Sequence, residues 1–159
     1  MLLRKHLRLA APLLSLIFLA SMSTASDAQQ RSEIQKPTAQ KFDEFSFVAW
    51  NDLKARLDGF AIEIQQRDVR GYIIVYAAGG CSRPAEAINL ARNTEFYLTE
   101  ARTVPNRLLT AVNGGFRETR YFELWLVPSG AAAPAATATV LRRRARVSNR
   151  CPGLPPNTK

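Results

Sequence analysis

The chain has 159 residues with 22 Lys+Arg, 13 Asp+Glu and one His, a formal net charge of +9 at pH 7. That histidine is His6, so Ser-His-Asp and Cys-His catalysis and the histidine-bearing zinc sites are excluded from everything C-terminal to it. The basic excess is uneven: bases and acids are equal in number between Lys41 and Pro128, and no acid follows Glu123.

Arg4, Lys5 and Arg8 open the chain, Leu9 to Ala20 is apolar apart from Ser15 and Pro12, and small residues follow. This is the plan of a secretory signal peptide over 1–28, with cleavage expected after Ala28 and Ala25 as the second site. A retained anchor is the alternative, but the apolar run is shorter than the roughly 20 residues a membrane span needs. No cysteine follows it for a lipid anchor. The expected localisation is therefore exported, in the periplasm or cell envelope, with no transmembrane segment in the mature chain.

Residues 29–40 are polar and read as a flexible leader. Phe45, Phe47 and Ala49 alternate as in a strand. Asn51 is placed to cap a helix with Asp52 in its first turn. Leu53, Leu57, Phe60, Ala61 and Ile64 then form one helical stripe, with Lys54 and Asp58 as an i,i+4 pair. Gly71 to Ala77 is a continuous β-branched run, the pattern of a strand buried on both faces. After Gly79-Gly80, Ser82 is expected to cap a second helix whose first turn holds Pro84 and whose apolar side includes Ala87, Leu90, Ala91, Thr94, Tyr97 and Leu98. Leu108 to Val112 reads as a short strand, Asn113-Gly114-Gly115 as a turn, and Tyr121 to Val127 as a strand with two unlike faces.

The order β-α-β-α-β-β predicts an α+β two-layer sandwich over 41–128, a mixed sheet with its helices on one face. Residues 129–159 read as an Ala/Pro linker and a basic tail carrying Arg142, Arg143, Arg144, Arg146 and Arg150, the stretch from Val140 on being either disordered or an added edge strand held by Cys151. The tail is expected to be removable without unfolding the domain. The two cysteines, Cys81 and Cys151, read as a disulfide in an oxidising compartment, with two free thiols as the alternative.

Residues 42–127 resemble the OmpA-like domain, a periplasmic module that binds peptidoglycan. The resemblance rests on Phe42-Asp43-Glu44-Phe45, on Leu53 through Leu57-Asp58-Gly59-Phe60-Ala61, on Ile73-Ile74-Val75-Tyr76, on Tyr97-Leu98, and on Leu108 to Gly115 followed by Phe116-Arg117-Glu118. It implies the same fold and an outer-membrane-associated setting. The family's Asp and Arg, which grip the charged ends of diaminopimelate, fall at Ala78 and Leu90, so the resemblance implies a fold kept and a usual grip lost. The alternative is a working peptidoglycan binder using other residues, with Ser82, Arg83, Arg92 and Arg117 as candidates.

Glu95 with Glu100, and Glu118 with Glu123, are the carboxylate pairs open to acid–base work, which leaves a hydrolase as the reading from another class. Each fits a solvated face better, so no catalytic residue is assigned. Nothing calls for a cofactor or metal. Gly79-Gly80 before a helix suggests either a plain turn or an anion site. The arginine tail suits the cell wall or an anionic envelope surface rather than nucleic acid, since no aromatic residue is interleaved for stacking.

Overall fold

The computed structural model describes residues 36–151; the expected signal peptide, most of the expected leader and the last eight residues lie outside the described residues. Four strands and two helices run β1 (Gln40–Ser46), α1 (Trp50–Arg67), β2 (Arg70–Ala78), α2 (Glu86–Phe96), β3 (Leu109–Arg117) and β4 (Tyr121–Val127). The sheet order is β1-β4-β2-β3, with β2 and β3 parallel and the other pairings antiparallel. Both helices cover one face, so the fold is the α+β two-layer sandwich with a mixed sheet. No described helix is long and apolar enough to cross a membrane.

The helical face holds the main core. Leu53, Leu57, Phe60, Ala61 and Ile64 of α1 and Ala87, Ala91 and Leu98 on the α2 side meet Ile73, Val75, Phe122, Leu124 and Leu126 of the sheet in one cluster. The 3.6-residue stripe and the two-residue alternation therefore point at each other, as burial of both demands. Asp58 joins the helices: it accepts from Tyr97 Oη at 2.6 Å and from Arg102 Nη2 at 2.7 Å. Those contacts hold its carboxyl below the usual range, with the Arg102 hydrogen bond the largest cause. Asp58 thus turns to Arg102, not to the expected Lys54, which lies over the Trp50 ring.

Several local expectations are corrected. β1 ends at Ser46, so Phe45 is buried while Phe47 is 43% exposed. Helix α1 starts at Trp50 after Ala49 with no side-chain cap, which leaves Asn51 inside the first turn. Asn113-Gly114-Gly115 is not a turn but a bulge in β3. Val75 faces Asn113 and Tyr76 faces Gly115, while Gly115 takes a φ of 93° and donates its N–H to Asn113 Oδ1 at 2.9 Å. A bulge needs one residue in that conformation, which glycine adopts without Cβ strain. The chain reverses instead at 118–120, which carries it from one side of β2 to the other.

The largest correction concerns the linker and tail. Ile74 and Tyr76 on the face away from the helices are fully buried, as expected of β2, but the cover is the C-terminal segment. Ala131 is buried, the Thr137 N–H donates to Tyr76 Oη at 2.9 Å, and Val140 forms an antiparallel bridge with Phe116. Further on, Ser82 and Val147 form a parallel bridge, and Cys81 and Cys151 are disulfide-bonded across a separation of 70 residues. Val140 also lies against Gly79, where a Cβ would come within 3 Å of its side chain. An Ala/Pro segment looks like a linker in sequence because it lacks large apolar residues; here its smallness lets it lie flat on a sheet.

Loss of the disulfide by Cys81→Ser should cost about 4 kcal/mol by loop-closure entropy. Truncation after Ser129 should cost clearly more, because it also uncovers Ile74 and Tyr76. Thermal or urea melts of the two variants decide the matter: equal midpoints would mean that the segment covers nothing of consequence.

Candidate functional site

The end of the sheet where the parallel strands β2 and β3 finish is where the chain departs most from regular structure. Gly79-Gly80 ends β2, and Ser82 is drawn into the C-terminal segment: its N–H donates to Arg146 O at 2.9 Å and its carbonyl accepts from Ser148 N–H at 2.8 Å. Ser82 is thus fully buried in a β-bridge and caps nothing. The Gly79 N–H donates to Arg117 O at 2.6 Å, and α2 begins only at Glu86. The backbone donors of Gly79 and Ser82 are engaged within the protein and are not available to an anion.

The residue before the helix is unusual. Ala85 has a φ of 57°, the left-handed region, at a cost of roughly 1–2 kcal/mol for a residue with a Cβ. Pro84 precedes it and disfavours helical backbone at Arg83. Together they turn the chain so that Glu86 enters α2 facing a cleft of about 320 Å³. Arg83, Glu86, Asn113, Phe116, Arg142 and Val147 are among the residues of its wall.

Glu86 is the least satisfied charged group there. Its Oε1 lies 3.1 Å from Arg120 Nε, with the two side chains only 9% and 12% exposed. Its Oε2 is buried and has no hydrogen-bond partner among the described residues. Burial pushes the carboxyl above the ordinary range, against the pull of Arg120 and Arg83. The first turn of α2 offsets part of that burial, because the dipole favours a negative charge at this end. A half-paired buried carboxylate on a cleft wall is an acceptor for a cationic or N–H donor group, and the guanidinium groups of Arg83 and Arg142 line the same cleft.

The sequence-derived candidates do not assemble into one site. Arg83 lines the cleft. Arg92 is exposed on α2. Leu90 is partly buried and packed against the core, while Ala78 ends β2 paired with Arg117. Arg117 lies on the opposite face of the sheet and is committed to structure. It pairs with Glu123 Oε1 and donates to Thr137 Oγ1 at 2.6 Å. Its guanidinium sits 4.0 Å and 4.5 Å from the ring centroids of Tyr76 and Tyr121.

Glu123, expected on a solvated face, is 3% exposed, and its Oε2 accepts from Tyr76 Oη and Trp125 Nε1, both at 3.2 Å. Glu95 is half-buried, and Glu100 and Glu118 are exposed. Glu86 itself was missed by sequence reasoning; its signal was a lone acid just after Pro84, at the mouth of a helix.

Breaking one side of the buried Arg117–Glu123 pair should cost about 3–5 kcal/mol, so Arg117→Met is expected to be severely destabilised. Glu123→Gln, which keeps an acceptor for Tyr76 and Trp125, should cost less, and adding Glu123→Gln to Arg117→Met should recover part of the loss. Urea denaturation gives all three values; a loss under about 1 kcal/mol for Arg117→Met would show that the pair is not what holds this face. No family model matches this chain, and neither does any curated protein or solved structure.

Proposed function

We propose that the chain is an exported, non-catalytic module of the cell envelope on an OmpA-like frame, with its recognition site in the cleft beside Glu86. The element order β-α-β-α-β-β and the disulfide support the frame and the oxidising compartment. The family's gripping positions carry Ala78 and Leu90 here, so a carboxylate and a guanidinium must come from elsewhere if a zwitterionic ligand is bound. The observation that carries the reading is Glu86, buried and with one oxygen unpartnered on a cleft that Arg83 and Arg142 also line. The ligand class is a small group bearing both an ammonium and a carboxylate, such as the diaminopimelate end of a peptidoglycan stem peptide.

Recognition of the ammonium needs Glu86 ionised. Its carboxyl titrates above the ordinary value of about 4.3, so binding should weaken as pH falls, and should begin to do so at a higher pH than an exposed carboxylate would give. Glu86→Gln loses a charge-assisted hydrogen bond and should weaken binding about tenfold to a hundredfold at pH 7. Calorimetry with a purified stem peptide tests this, with the melt of each variant as the fold control. No binding by the parent protein, or equal binding by a folded Glu86→Gln variant, would overturn the site.

A further inference from the structure

We infer that the C-terminal arginines form a fixed docking ridge for an anionic lipid bilayer, a contact distinct from the cleft although Arg142 and Val147 also line the cleft wall. Arg142, Arg143 and Arg144 lie on one tight 3-10 turn, and these three, Arg146 and Arg150 are all exposed. The chain contains no acid after Glu123 to neutralise them. Two large apolar side chains stand among them, Leu141 at 54% and Val147 at 49% exposure.

The ridge is not a loose tail. The Arg146 N–H donates to Gly79 O at 2.9 Å, the Val140 N–H to Phe116 O at 3.0 Å and the Ser148 N–H to Ser82 O at 2.8 Å, and the Cys81–Cys151 bond closes the end. Among acids close by, Glu118 shares a hollow with Leu141 and Arg144, while Glu86 is engaged by Arg120.

Fixed placement is what distinguishes a surface that reads a bilayer from one that merely attracts polyanions. Guanidinium groups held at the level of lipid phosphates place Leu141 and Val147 against the boundary of the acyl chains, where apolar side chains leave water. A soluble polyanion or a cell-wall phosphate chain supplies the charge but no such apolar layer. The exposed Leu141 and Val147 therefore select the bilayer among anionic partners.

Sedimentation with vesicles of phosphatidylcholine containing phosphatidylglycerol tests the ridge. Arg143→Gln/Arg144→Gln/Arg146→Gln leaves Arg142 in the cleft untouched and should weaken binding about a hundredfold, at roughly fivefold per arginine near an anionic surface. Leu141→Ser, which leaves Val147 on the cleft wall untouched, should weaken binding about fivefold while leaving retention by soluble polyphosphate unchanged. Parent-like vesicle binding by the charge variant would remove the ridge from the contact. Parent-like vesicle binding by the apolar variant would mean that charge alone is read, and the bilayer assignment would fall. Stem-peptide binding by both variants should equal the parent's, so that failure of the ridge and failure of the cleft are separate results.

Discussion

Glu123 sits near the middle of the sheet face that carries no helix, and a carboxylate buried there is tolerated only with a cation and donors around it. Much of the molecule answers that constraint. Arg117 arrives from the end of β3 to pair with it, Tyr76 and Trp125 donate to its second oxygen, and Tyr76 and Tyr121 enclose the guanidinium. The bulge at Asn113–Gly115 shifts the register of β3 against β2 upstream of Arg117, so that Ala78 pairs with it and it emerges on the Glu123 side.

The same network recruits the C-terminal segment. Thr137 accepts from Arg117 and donates its N–H to Tyr76, so the chain is held where it crosses the polar centre of an otherwise apolar face. Small side chains on either side let it lie flat, and Ala138 and Val140 come against Gly115 and Gly79. From there the path to Cys151 runs past the N-terminal end of α2, which places Arg142 and Val147 on the cleft wall beside Glu86. The cleft is thus a consequence of how the far face of the sheet is covered.

Charge is divided in a way that fits two separate contacts. Within the sandwich, acids and bases balance, and the described pairs are mostly local or bridge neighbouring elements, such as Lys41 with Glu44 and Arg56 with Asp43. The uncompensated positive charge is gathered on one exposed ridge that the disulfide fixes to the domain. A buried carboxylate at the cleft and fixed cations at the ridge differ in screening: salt weakens the exposed ridge far more than the enclosed Glu86.

The sequence by itself determined the elements and the main core, because periodicity is a local property. The stripe from Leu53 to Ile64 and the alternation of Phe122, Leu124 and Leu126 each name the face to be buried, and two cysteines with an export-type N-terminus leave one pairing. It did not determine the role of the Ala/Pro segment, the burial of Glu123 or the position of Glu86. Composition reports that residues 131–139 have little apolar surface of their own, but not that a sheet face awaits cover. Likewise, Arg117 reads as a candidate ligand residue and Glu123 as a solvated charge, because each is satisfied only by partners brought from β2, β4 and the C-terminal segment. Glu86 and Arg142 are distant in sequence and meet at one cleft only because Ser82 and Val147 bridge. Such contacts are set by which backbone groups and buried charges need partners once the sheet has formed, and that is decided in three dimensions.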